Sequence, residues 1–173
     1  MIGGVPTLAL NGSPSATSRT ATLARAALEL AGGGRLVDVA TLDAEALLGR
    51  RPSPEVDELV AALSTATVIV AATPVYRATY TASLKAVFDL LPVDALRGSA
   101  TVPIATGALP DHRLAIDHGL RPLVASLGGW TVPTGVYATH ADFEADGAPR
   151  PPVMSALRRA VTEATTLARA GGA

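Results

Sequence analysis

The chain has 173 residues, 49% hydrophobic and 17% charged, with a formal net charge of -1. Such a chain can bury a full core, and a near-zero charge without a Lys/Arg cluster leaves no electrostatic footprint for nucleic acid. Cysteine is absent, which excludes disulfides, thiolate catalysis and Cys-based metal or iron–sulfur centres.

No apolar run approaches the ~20 residues of a membrane span. Met1 to Pro6 leads into the first apolar segment without the basic and hydrophobic regions of an export signal. A cytoplasmic protein is expected, folded as one domain over 1–173. The histidines His112, His118 and His140 do not fall at metal-ligand spacings, so no metal site is expected and redox chemistry falls to an organic cofactor.

Val5 to Leu10 is an apolar run that predicts a short buried strand. It breaks at Asn11-Gly12, passes through small and hydroxylated residues, and resumes at helical spacing after Ser18, a good N-cap. A strand, a hydroxyl-rich loop and a helix N-terminus together make an anion site: backbone N–H groups converge there and the helix dipole favours negative charge. Arg19 is the only cation in this loop. The glycines fit neither the dinucleotide fingerprint nor the P-loop, so a phosphomonoester held mainly by neutral donors suits the loop best, with a plain turn as the alternative.

Gly32-Gly33-Gly34 stops the helix, and Arg35 to Ala40 reads as a second strand. Thr41 to Arg51 is loop or short helix. Ser53-Pro54-Glu55 opens a helix whose buried stripe is Val56, Leu59, Val60 and Leu63. Thr67 to Ala72 is a continuous β-branched run, expected of a central strand covered on both faces. Its loop, Thr73 to Tyr80, carries two of the three tyrosines and leads to a helix with Leu84, Val87, Phe88 and Leu91 inward. Thr101 to Ala105 is a fourth strand, followed by another small-residue loop, Thr106 to Pro110. Asp111 is expected to cap the next helix, stopped by Gly128-Gly129. Trp130 to Tyr137 reads as a fifth strand, with Pro133 marking an edge. A polar segment then leads to a last helix with the core stripe Met154, Leu157, Val161, Ala164 and Leu167; His140 and Trp130 read as structural or surface residues.

Strands alternating with helices imply a parallel, doubly wound α/β sheet with right-handed crossovers, whose ligands lie beyond the carboxyl ends of the strands. The three least charged and most Gly/Pro/hydroxyl-rich loops of the chain fall there: 11–18, 73–80 and 106–111. A phosphate on the first and a flat neutral group between the others describe a mononucleotide such as FMN. Thr106-Gly107-Ala108 offers free N–H groups near a helix N-terminus, and Pro74, Val75 and Tyr76 an apolar wall.

Ala72-Thr73-Pro74-Val75-Tyr76-Arg77-Ala78-Thr79-Tyr80-Thr81-Ala82-Ser83-Leu84-Lys85, with Asp89-Leu90-Leu91-Pro92, closely resembles the NAD(P)H-dependent FMN reductases of flavodoxin-like fold. It is most similar to the SsuE/MsuE-type subgroup that supplies reduced flavin to two-component alkanesulfonate monooxygenases. Asn11-Gly12-Ser13-Pro14 and Ser18-Arg19-Thr20 match that subgroup's phosphate loop; Ala105-Thr106-Gly107, His112, Leu114 and Asp117 match its fourth loop and helix. The resemblance implies a five-stranded parallel sheet of order 2-1-3-4-5, FMN as cofactor or substrate, and NADPH or NADH as donor. It also implies a homotetramer built as a dimer of dimers, and transient contact with a monooxygenase.

Carried over, Ser13, Ser18, Arg19 and Thr20 hold the FMN phosphate, Pro74, Val75 and Tyr76 line the ribityl chain and ring, and Thr106, Gly107 and Ala108 meet the pyrimidine edge. Ala108 stands where a second glycine is common. No acid–base residue is required, because hydride passes directly from nicotinamide to flavin. His118, His112 and Tyr80 are candidate modulators. Pro122 and Gly119 weaken the helix around His118, which leaves a proline kink or a π-bulge; the resemblance favours the bulge, at a tetramer interface beside the flavin. Two alternatives share the site: an FMN-bound quinone, azo or metal-oxyanion reductase, and a flavodoxin-like electron carrier.

Overall fold

The computed structural model describes residues 5–171. At its centre lies a parallel sheet of order β2-β1-β3-β4, with β5 and β6 both paired to the outer side of β4. The strands are β1 (Thr7–Asn11), β2 (Arg35–Asp38), β3 (Val68–Pro74), β4 (Ala100–Thr106), β5 (Trp130–Thr131) and β6 (Val136–Ala138). The expected order 2-1-3-4-5 is present, but the fifth strand is two pieces rather than one.

The cause of the break is local. Pro133 has no N–H to give a ladder, and the chain leaves the sheet around it. Other side chains satisfy the freed backbone: Arg121 donates to the carbonyls of Val132 and Pro133 at 2.8 and 2.7 Å, and Glu163 accepts from the Thr134 amide at 2.9 Å.

Strand alternation sorts the core into two layers. Leu8, Leu10, Ile69 and Ala71 pack with Leu59, Leu63, Leu84 and Phe88 on one face. Ala9, Val68, Val70 and Ala72 pack on the other with Leu23, Ala24, Ala27, Leu157, Ala160 and Ala164. The first layer uses α3 (Pro54–Thr65), α4 (Ala82–Asp89) and α5 (Arg121–Ser126); the second uses α1 (Arg19–Ala31) and α6 (Pro151–Gly171). In α6, Met154 and Leu167 are only half-buried, and Val153 and Ala160 join the buried stripe. A short α2 (Ala44–Leu47), capped by Asp43, resolves the ambiguous segment after β2. No helix among the described residues is long and apolar enough to cross a membrane.

The second strand is shorter than expected, because Val39–Thr41 turns as a 3-10 helix. A larger departure follows β4. One helix capped by Asp111 is expected, but three pieces form: a 3-10 turn (Pro110–Arg113), a π-helical turn (Ile116–Leu120) and α5. Leu109, with no side-chain cap, stands at the first boundary, so Asp111 does not cap. The Arg121 amide reaches back five residues to the Ile116 carbonyl. Pro122 follows at once; with no N–H to continue the usual ladder, a wider turn costs little there.

Candidate functional site

Four loops leave the carboxyl ends of β1, β3, β4 and β6 and enclose a crevice of about 480 Å³. Its floor is the segment between β1 and α1. Asn11 organises it: its side-chain carbonyl accepts from the Ser13 amide at 3.1 Å, and its amide donates to Asp38 at 2.7 Å. Gly12 is pressed against α4, since a Cβ there would lie 2.8 Å from Leu84 Cβ and 3.0 Å from Thr81 Oγ1. Its carbonyl accepts from Thr81 Oγ1 at 2.8 Å and Ser83 Oγ at 3.2 Å, which ties this loop to the next one. Ser18 caps α1 through the Ala21 amide at 3.2 Å. The Arg19 and Thr20 amides, first in the helix, find no acceptor among the described residues, and they carry the positive end of the helix dipole.

The second loop forms a wall. Tyr76 and Thr79 exchange amide–carbonyl bonds at 3.0 and 3.3 Å around Arg77 and Ala78, whose φ angles are 51° and 69°. Positive φ at both central residues is the geometry of a tight hairpin turn. It leaves Tyr76 exposed at the rim, with Val75 buried beneath it.

The third loop begins at Thr106, whose hydroxyl shares a buried 2.7 Å bond with Thr20 and so locks this loop to the floor. Here one expectation is corrected. The Gly107 amide is not free: it donates to the Ala138 carbonyl at 3.0 Å, because β6 extends the sheet to that point. The Ala108 amide finds no acceptor among the described residues, and Ala108 keeps a negative φ, so no glycine is required there. A Cβ on Gly107 would lie 2.3 Å from the Tyr137 hydroxyl, which donates to the Leu109 carbonyl at 2.5 Å. Burial, with Asp142 nearby, raises the Tyr137 phenol above its ordinary pKa.

All ten residues expected to meet FMN line this crevice: Ser13, Ser18, Arg19, Thr20, Pro74, Val75, Tyr76, Thr106, Gly107 and Ala108. The three modulators do not. His118 is exposed on the π-helical turn, and Tyr80 covers Gly119 of that turn at about 3.1 Å from where a Cβ would stand. His112 stands behind Gly107, half-buried, with no partner for its Nδ1.

Sequence reasoning missed the fourth loop, Ala138, Thr139 and His140, which completes the lining. Its 3-10 turn is held by Asp142, which accepts from both the amide and the hydroxyl of Thr139 at 2.7 Å. Those bonds keep the Asp142 carboxyl below its ordinary pKa. His140, read as structural or surface, meets the Arg19 guanidinium through Nδ1. The signal was present in Thr139-His140-Ala141-Asp142, a capping-box spacing just past a strand.

Among the described residues, no carboxylate lines the crevice, and Arg19 is its only permanent cation. A larger cavity, about 720 Å³, lies beyond β6; its charged residues Arg121, Asp117 and Asp142 are bonded within the chain, which leaves Arg113 as its one charged lining residue without a partner among the described residues. The crevice instead presents unpaired amides and the Ser13 and Ser18 hydroxyls, which accept from amides and donate to no acceptor among the described residues, a donor set suited to a phosphate.

The family model for NADPH-dependent FMN reductase matches residues 5–144. The chain is 35% identical over 168 residues to the NADH-dependent FMN reductase SfnF of Pseudomonas fluorescens, covering 92% of this chain and 90% of that protein. It is 36% identical over 138 residues to the FMN reductase (NADPH) of Escherichia coli, covering 76% and 71%. The solved apo form of an NADH:FMN oxidoreductase, EMOB, aligns with a TM-score of 0.85 at 38% identity, covering 94% and 89%. By sequence and by fold, the chain belongs to the NADPH-dependent FMN reductase family.

Proposed function

We propose that this chain reduces FMN with NADH or NADPH and supplies the reduced flavin to a partner flavin-dependent monooxygenase of sulfonate-type sulfur metabolism. The observation that carries the reading is the crevice floor: free Arg19 and Thr20 amides and the Ser13 and Ser18 hydroxyls, with no carboxylate among the lining residues. The relatives named NADH-dependent and NADPH-dependent support the activity and leave the nicotinamide open.

In this reading the helix N-terminus and Arg19 hold the phosphate monoester, a dianion near neutral pH. Ser13 is buried and fixed by its bonds to Asn11 and to the Ser15 amide, so its hydroxyl is pre-positioned. Pro74, Val75 and Tyr76 hold the apolar part of the cofactor, and the free Ala108 amide meets its polar edge. FMN supplies the hydride-accepting ring when bound. The chain contributes orientation and a wall against water, and no side chain acts as acid or base. A homotetramer built as a dimer of dimers, and a cytoplasmic setting, belong to the same proposal.

The test is aerobic NADPH and NADH oxidation by the purified chain, with and without added FMN. Oxidation that depends on free FMN is expected. Activity that requires a quinone and never free flavin would replace this reading with a flavin-bound reductase. No FMN-dependent oxidation at all would leave an electron carrier.

A further inference from the structure

Arg19 and His140 lie 121 positions apart in the chain and meet at one rim of the crevice. Arginine has only donors, so the imidazole Nδ1 accepts in this contact, and two basic side chains are brought together with no acid between them. The carboxylates around them are engaged elsewhere. Asp142 accepts from Thr139, Glu144 pairs with Arg150, and Asp38 holds Asn11. Arg19 forms no ion pair among the described residues. Its guanidinium lies 5.6 Å over the ring of Phe143, which is buried, so the head group is steered toward His140 rather than left to solvent.

The Thr139–Asp142 turn holds His140 on the same crevice as the free amides of α1. Two basic groups and two unpaired amides, with no acid among them, form a cradle for a dianion. We propose that His140 is a phosphate-recognition residue that, with Arg19, makes the crevice prefer FMN over riboflavin. The inference rests on reading the crevice as the FMN site. With phosphate in place, the Arg19 donors turn from Nδ1 to phosphate oxygens, and the imidazole joins them as a donor.

The test compares FMN and riboflavin binding, by quenching of flavin fluorescence, in wild type, His140→Ala and His140→Gln, with thermal melts to confirm folding. His140→Ala should raise the Kd for FMN about tenfold, the scale of one charge-assisted hydrogen bond. It should leave riboflavin within about twofold, and His140→Gln should restore part of the FMN preference. Equal losses for both flavins, or no loss for FMN, would overturn the role of His140 while leaving the FMN site standing. A wild-type chain that binds neither flavin would overturn the site reading and this inference together.

Discussion

Gly107 lines the crevice, and one added methyl group there should damage fold and site together. A Cβ there stands 2.3 Å from the Tyr137 hydroxyl and 3.2 Å from Cζ of the same ring. Non-bonded heavy atoms sit comfortably at about 3.5–4.0 Å, so the phenol must retreat by about 1 Å or more. That breaks its 2.5 Å bond to the Leu109 carbonyl, which holds the third loop in shape. Overpacking of this kind costs about 1–3 kcal/mol, and the lost hydrogen bond about 0.5–1.5 kcal/mol. Gly107→Ala should therefore lower stability in urea titrations and weaken FMN binding together. Tyr137→Phe removes the atom in the way and has already lost the bond. The double variant should thus be at least ~1 kcal/mol more stable than the sum of the single effects predicts. Strict additivity would refute the claim that Gly107 is small to make room for that hydroxyl.

Thr106→Val strands the Thr20 hydroxyl, which is 1% exposed and loses its 2.7 Å partner; about 1–3 kcal/mol of stability should go, and adding Thr20→Val should recover most of it in the same titrations. Asp142 has a carboxyl pKa depressed below 3.8 by its bonds to Thr139, so the stability it contributes is complete above that value and is lost as pH falls through the depressed one. The stability gap between wild type and Asp142→Asn should accordingly narrow on acidification, and a gap independent of pH would contradict the assignment. Ser13→Ala combined with Arg19→Ala should weaken FMN affinity by up to a few kcal/mol, at ~1.5–3 kcal/mol per contact to a charged group; unchanged affinity counts against the site. Arg77→Asn with Ala78→Gly relieves left-handed backbone worth about 1–2 kcal/mol per residue, so the melting temperature should rise. A lower one would show that the turn is held by side-chain contacts instead.

The central elements and their order were legible because β1, β3 and β4 are runs too apolar to be anything but covered, and the helices between them carry start signals and a buried stripe. Ser18 caps α1 and Pro54 opens α3 as the residues suggest. What escaped depended on long-range pairing. Gly107 reads as a free-amide loop until β6 supplies the Ala138 carbonyl, a partner 31 positions away that no local pattern announces. His140 reads as surface because its significance comes from Arg19, at the other end of the chain. Asp111 looks like a cap by residue type, but the chain turns as a 3-10 helix one residue before it. The weak spot around His118 was visible in Pro122 and Gly119; the packing of Tyr80 on Gly119 was not.

The interruption at Pro133 bears on how copies of this chain meet. An unbroken outer strand would expose a row of vacant donors and acceptors to any other extended chain, a standing invitation to fibrous stacking. Here that border is cut into pieces of two and three residues, and the gap is stitched shut by Arg121 and Glu163. The opposite border, β2, has four residues and opens on an exposed arginine. Self-association by continuing the sheet is thus discouraged at both borders, and any assembly would fall to helices and loops.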